Sequence, residues 1–342
     1  MQLVRNGREV ISLPKEYQYS SIFASNLLDY VDQKRLSGFS FNLQSYWLYR
    51  FDQYCSYCCI KSADISKELF EAWAGRFENE GKASQSSRLS ALRGFCKYLN
   101  SIGAKAYVPH KLPKGEKTIP HIFDDEEVQQ FFAVLDSVEP YGHHGGTQLC
   151  FQRMAQEYRV YFRLVYCCGL RNSEACNTKV EDVNLSQGIL TIKQSKGRKD
   201  RLVYMSEELT QLCKSYIEFL QKVADGPIDW LFPGRTFSKP LKNSSMAKKF
   251  DEVWFKTAAS KKCCKKPTIH SFRHYFVVNR MNRWMSDGSI NTEAMLPYLS
   301  NYLGHSSPSE TYYYYHHVQE AFTIIRSKDK ISDLVIPEVP YE

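Results

Sequence analysis

"YLGHSSPSETYYYYHHV", from Tyr302 to Val318, sets four consecutive tyrosines between His305 and the pair His316 and His317. The stretch just before it, "LPYLSNYLG", ends a helix at Gly304, since glycine closes a helix in the left-handed conformation without steric cost. "SPSE" then starts another, with Ser307 as N-cap, Pro308 at the first helical position and Glu310 three residues after the cap. The tyrosines therefore fall in the first two turns of a new helix. Successive helical residues step about 100° around the axis, so Tyr312, Tyr313, Tyr314 and Tyr315 point in four directions. At most one or two of them can face a single site.

The surrounding chain has 342 residues, 43% hydrophobic and 24% charged, which is the profile of a globular protein with room for two domains. No apolar run is long enough to span a membrane, and the polar start "MQLVRNGREVISLPKEYQYSS" does not read as a signal peptide. A cytoplasmic location is expected. The net charge of +8 suits a polyanionic partner. Eleven cysteines without a secretory signal read as reduced thiols. "CSYCC" at Cys55 to Cys59 contains a CxxC, but Trp47, Phe51, Tyr54, Cys55 and Cys58 share one helical face, so these thiols are expected in a core. Cys263 and Cys264 lack ligand spacing, and no histidine lies at finger distance. Neither a metal nor another cofactor is expected.

Helical periodicity runs from Tyr17 to about Gly103. Its stripes are Phe23, Leu27, Tyr30 and Val31; the Trp47 set; Ile65, Leu69, Trp73 and Phe77; and Leu89, Leu92, Cys96 and Leu99. These predict a small four-helix domain over residues 1–103. "AYVPHKLPKGEKTIPHIF" follows, rich in proline and lysine and without periodicity, and predicts an exposed linker over 104–120. Its Lys111, Lys114 and Lys117 are candidates to contact a polyanion, or else merely solvate a hinge. A second domain is expected over 121–327, with a tail over 328–342. Its acidic start, Asp124 to Glu127, reads as helix capping and not as a metal-binding carboxylate cluster. "GILTIKQSKGRKDRLVYM" predicts a β-hairpin within an otherwise helical domain.

Chemistry concentrates at a few places. "CCGLRNSE" puts Arg171 at a helix break, "IKQSKGRKD" puts Lys196 at a hairpin tip, and "HSFR" puts His270 and Arg273 on one helical face. With His305 and a tyrosine, this inventory suits a phosphodiester. Guanidinium forks bind phosphate oxygens and stabilise a pentacovalent transition state. A lysine or histidine can protonate a leaving alkoxide, and a phenol can act as nucleophile.

The order GLR, hairpin lysine, HxxR, LGH and tyrosine resembles the catalytic domain of the tyrosine recombinase (phage integrase) family, and the helical domain resembles that family's core-binding domain. The likeness runs from Tyr17 to Arg326. It implies a mainly α, two-domain, C-shaped clamp on double-stranded DNA, with a small β-hairpin or sheet. It also implies that Arg171 and Arg273 clamp the scissile phosphate and that Lys196 protonates the 5′-hydroxyl leaving group, with Lys193 and Lys199 as alternatives. His270 takes the position usually given to proton transfer from the nucleophile, and His305 the phosphate-bonding position. The family pattern sets the nucleophile nine residues after the LGH histidine and two before another histidine, which is Tyr314; Tyr313 and Tyr315 are the alternatives. His274 admits two readings, as an outer partner of the reacting groups or as a packed side chain. Phe272 and Tyr275 depart from the usual pattern as core variations. Lys261, Lys262, Lys265 and Lys266, which lead into the HxxR helix, are expected to contact the DNA backbone.

The resemblance further implies a site-specific recombinase of a mobile element, an integrase or transposase without an arm-binding domain. It would work as a homotetramer on two DNA sites, with an accessory DNA-bending protein as a further partner. The tail after the catalytic helix would dock on a neighbouring protomer or fold back in cis. A type IB topoisomerase and a catalytically silent DNA-binding regulator are the alternatives.

Overall fold

The computed structural model describes residues 16–114, 120–137, 148–193, 200–224, 226–234, 237–287 and 289–314. The chain divides into two compact units, Met1–Thr118 and Ile119–Glu342. No helix among the described residues is long and apolar enough to cross a membrane.

The first unit is a four-helix domain of α1 (Ala24–Leu36), α2 (Asn42–Tyr57), α3 (Lys67–Ala74) and α4 (Lys82–Ser101). The apolar stripes converge: Phe23, Leu27, Leu48, Phe51, Phe95 and Leu99 are fully buried. Cys55 joins this core, but Cys58 and Cys59 are exposed. The expectation of core thiols fails there because α2 ends at Tyr57 and Cys59 takes a positive φ of 50°, which turns the chain out of the helical stripe. The proline- and lysine-rich segment also differs from a fully exposed linker in its first half. Ala104, Ala106, Tyr107, Val108 and Leu112 pack on the helical core, and the Tyr107 amide donates to the Ile65 carbonyl at 2.8 Å. The apolar residues between its lysines give it a surface to bury.

The second unit contains α5 (Asp125–Ser137), α6 (Gln148–Cys168), α7 (Asn172–Cys176), β1 (Val183–Asn184), β2 (Ile189–Ile192) and β3 (Arg201–Tyr204). α8 (Glu207–Val223), α9 (Asn243–Trp254), α10 (Ile269–Ser286), α11 (Thr292–Leu303) and α12 (Ser309–Tyr312) follow. The acidic start of α5 is a reciprocal cap: the Glu127 amide donates to Asp124 Oδ1 at 2.7 Å and the Asp124 amide to Glu127 Oε2 at 3.1 Å. The expected hairpin is β2 and β3, with Ile192 opposite Arg201, extended by β1 into a three-stranded antiparallel sheet.

Aromatic rings pack the part of the core around Phe272. Phe272 of the "HSFR" stretch is fully buried, edge-on to Phe131 at 5.0 Å and stacked on Phe123 at 5.1 Å. That ring anchors α10, so the residues on either side of it are held at fixed positions. A second apolar cluster joins α10 to α11 through Val277, Met281, Leu296, Leu299 and Leu303, and it takes in Tyr314. α12 begins at Ser309 with Pro308 as its N-cap, one residue later than the sequence suggests, and the Ser307 hydroxyl accepts from the Ser309 amide at 3.3 Å.

Candidate active site

Three guanidiniums converge on the C-terminal end of α11. Arg201 Nε donates to the Tyr302 carbonyl at 2.7 Å, Arg273 Nη2 to Leu303 at 2.6 Å and Arg171 Nη2 to Gly304 at 2.9 Å. Helix C-termini leave carbonyls without intrahelical partners, and the helix dipole makes that end attractive to cations. Gly304 makes the arrangement possible. Its φ of 64° turns the chain out of the helix, and a Cβ there would lie 3.0 Å from Arg201 Nη1.

Each arginine arrives from a different element. Arg171 is the N-cap of α7, just after the left-handed Gly169 that ends α6. Arg273 sits on α10, only 1% exposed, and its Nη1 donates to the Gly169 carbonyl at 2.8 Å. Burial, with Arg171 beside it, lowers its pKa to about 10, so it stays cationic at neutral pH. Arg201 comes from β3.

The sequence reading missed Glu174 and Arg201. Arg201 reaches both Glu174 oxygens, at 3.0 and 2.7 Å, while Arg171 donates to Oε1 from its side chain at 2.7 Å and to Oε2 from its backbone at 2.9 Å. Burial pulls the Glu174 carboxyl upward, but the hydrogen bonds and charges of Arg201 and Arg171 outweigh it and hold the pKa down to about 2. The only signal in the sequence was local: Glu174 stands three residues after Arg171, the capping-box position.

His305 follows Gly304. Its amide donates to Ser300 and its Nδ1 lies 2.7 Å from the buried Thr311 hydroxyl, which fixes the ring. Of the tyrosines, Tyr314 is 4% exposed, against 48% for Tyr312 and 36% for Tyr313. The Tyr314 Oη lies 2.8 Å from Nδ1 of His274, the residue after Arg273. Burial raises the Tyr314 pKa to about 12, with the Arg273 and Arg171 charges opposing the shift. His270 stands edge-on to His274 at 4.6 Å. Partial withdrawal from water, with the Arg273 and Arg171 guanidiniums, pushes its imidazole down to about 4. The ring keeps open area toward solvent, so the two guanidiniums are the firmer cause.

The structure thus brings Arg171, His270, Arg273, His305 and Tyr314 to one place. Lys196 and Lys199 lie outside the described residues, as do Lys117, Tyr315 and the tail over 328–342. Lys193, the described alternative, is held by Asp182 at 2.5 Å and Glu181 at 3.3 Å, which raises its pKa. Lys111, Lys114, Lys261, Lys262, Lys265 and Lys266 are exposed, with Lys266 paired to Asp251 at 2.7 Å. Away from the site, tertiary folding brings His121 to Cys263 despite their separation in sequence. His121 Nδ1 lies 3.5 Å from the sulfur and Nε2 lies 2.9 Å from Glu127. Those two contacts brace the start of α5 against the lysine-rich loop.

The chain is similar to the tyrosine recombinase of Pseudothermotoga lettingae, 26% identical over 78% of this chain and 83% of the relative. It is also similar to the tyrosine recombinase XerD of Pseudomonas aeruginosa, 29% identical over 72% and 76%. Among solved structures, XerH site-specific recombinase bound to palindromic difH shares the fold with a TM-score of 0.61 at 17% identity, over 93% of this chain and 92% of that one. The Tn1549 transposon integrase in complex with transposon right end DNA does so with a TM-score of 0.59 at 15% identity, over 89% and 98%. The sequence pattern of the phage integrase family matches residues 122–321, which take in all three arginines, both site histidines of the HxxR and LGH stretches, and Tyr314. The chain therefore belongs to the phage integrase family and is a tyrosine-type site-specific recombinase.

Proposed function

We infer that the chain cuts and rejoins double-stranded DNA through a 3′-phosphotyrosyl link formed by Tyr314. The observation that carries this reading is the convergence of Arg171, Arg273 and His305 on the end of α11, with Tyr314, the buried one of Tyr312, Tyr313 and Tyr314, beside them. Guanidiniums held by backbone carbonyls are pre-oriented, so they stabilise charge developing on a phosphate without reorganising. In this reading Arg171 and Arg273 clamp the non-bridging oxygens and His305 bonds the phosphate. Tyr314 attacks phosphorus, and the 5′-oxygen leaves with a proton from Lys196. A 5′-hydroxyl of another duplex then attacks the link, so bond energy is conserved and no ATP is required. Arginines supply the positive charge that a metal supplies in other nucleases.

The exposed Lys111, Lys114, Lys261, Lys262, Lys265 and Lys266 are proposed to lie against the phosphate backbone, with Lys117 beside them. A homotetramer on two sites, an accessory DNA-bending protein and a role in a mobile element complete the proposal. The mobile-element role is supported by the solved structure described as a transposon integrase on transposon right end DNA.

A nicked suicide duplex incubated with the protein in EDTA, followed by denaturing electrophoresis, tests this. The expected result is a covalent protein–DNA adduct that disappears in Tyr314→Phe. An adduct that persists moves the nucleophile to Tyr313 or Tyr315. Binding with no adduct would make the chain a DNA-binding regulator instead.

A further inference from the structure

Resting on that reading, the geometry points to His274, and not His270, as the base that takes the proton of the attacking tyrosine. The hydrogen bond at the Tyr314 phenol runs to Nδ1 of His274 at 2.8 Å, the distance a proton-transfer pair needs. The two rings are tilted with centroids 5.4 Å apart, so the imidazole nitrogen meets the phenolic oxygen and does not stack over the ring. Both side chains are placed by neighbours. Tyr314 packs in the cluster of Val277, Met281, Leu299 and Leu303, while His274 on α10 has His270 edge-on against its ring at 4.6 Å.

His270 is less suited to the task. It lies one helical turn earlier, edge-on to His274, and two guanidiniums oppose any positive charge on it. His270 is better placed to face the phosphate beside Arg273.

The step requires a neutral His274 with its proton on Nε2 and the Nδ1 lone pair toward the phenol. As the Tyr314 Oη–phosphorus bond forms and the phosphorus–O5′ bond breaks, the phenolic proton passes to Nδ1, leaving an imidazolium. The 5′-oxygen takes its proton from a separate acid. In the rejoining step the imidazolium returns its proton to Oη as the tyrosine leaves.

The test measures single-turnover adduct formation on the suicide duplex for wild type, His274→Ala, His274→Asn and His270→Ala, with DNA binding followed by gel retardation. Asparagine can keep a hydrogen bond from the phenol but cannot accept its proton. Both His274 variants are expected to cleave at least about 100-fold more slowly with DNA binding retained, and added imidazole should restore part of the rate in His274→Ala only. A His274→Asn variant that cleaves at the wild-type rate would overturn the proposal and leave His274 a positioning residue. Imidazole rescue of His270→Ala instead would assign the base to His270. Absence of an adduct with wild type is a different failure, that of the recombinase chemistry itself.

Discussion

Arg201 grips both carboxylate oxygens of Glu174, at 3.0 and 2.7 Å, from the far side of the hairpin. The same carboxylate also receives the side chain and backbone of Arg171. Glu174 is therefore the anion that holds two of the three guanidiniums on the end of α11, and removing it leaves two cations pressed together. Glu174→Gln is expected to destabilise the second unit by on the order of 3 kcal/mol, a breakage of a buried pair. Chemical denaturation at pH 7 measures it.

The pH dependence of that stabilisation has a definite sign. The folded pKa of about 2 lies below the unfolded value of about 4.3, so the stabilisation is complete above the unfolded value and is lost as pH falls toward 2. The difference in stability between wild type and Glu174→Gln should shrink between about pH 5 and pH 2. A difference that stays constant over that range would show the carboxyl to be unshifted.

His270 titrates in the opposite sense to a histidine that gains a partner. Its cation is disfavoured in the folded state, so stability is full above the unfolded value of about 6.5 and declines as pH falls toward 4. Its ring proton resonances should therefore show a midpoint below pH 5. Removing a neighbouring charge, as in Arg171→Gln, should move that midpoint upward.

Gly304 is constrained twice, by its φ of 64° and by Arg201 against its open face. Gly304→Ala should cost about 1–2 kcal/mol in backbone strain and displace the carbonyl that receives Arg171. Cleavage is expected to fall more than thermal stability does. Equal activity with lowered stability would mean that the carbonyl does not orient the arginine.

Arg273 donates through both Nη atoms to backbone carbonyls, at 2.8 and 2.6 Å, a fork that a lysine ammonium cannot reproduce. Arg273→Lys should lower single-turnover cleavage by about 100- to 1,000-fold. DNA affinity should change much less if the exposed lysines supply most of the phosphate contacts.

The lysines before α10 carry a separate expectation. If Lys261 and Lys262 each neutralise one phosphate, replacing both with glutamine should reduce the slope of log affinity against log salt by about 1.8. Lys266→Gln should change the slope less, because Asp251 already holds that ammonium.

Much of the site could be read along the chain because its parts are short and local. GLR, HxxR and LGH each hold their residues within one turn of backbone, and helix grammar was enough to separate four tyrosines onto four directions. The resemblance to the family pattern pointed to Tyr314 ahead of Tyr313 and Tyr315 before any fold was known. The apolar stripes of the first domain were legible for the same reason, since helical period is a local property, although the end of α2 was not and Cys58 left the core with it.

What the sequence determined, then, was the set of candidate side chains and the elements that carry them. What only the tertiary structure decided was which groups meet. Glu174 lies in a short helix and Arg201 at the start of a strand, and neither carried a sign of the other in the sequence. His274 stood undecided until the turn after α12 brought a phenol to its Nδ1. A hydrogen bond between residues far apart in the chain depends on distance in space, and that is set by the aromatic packing beneath α10 and the apolar cluster between α10 and α11.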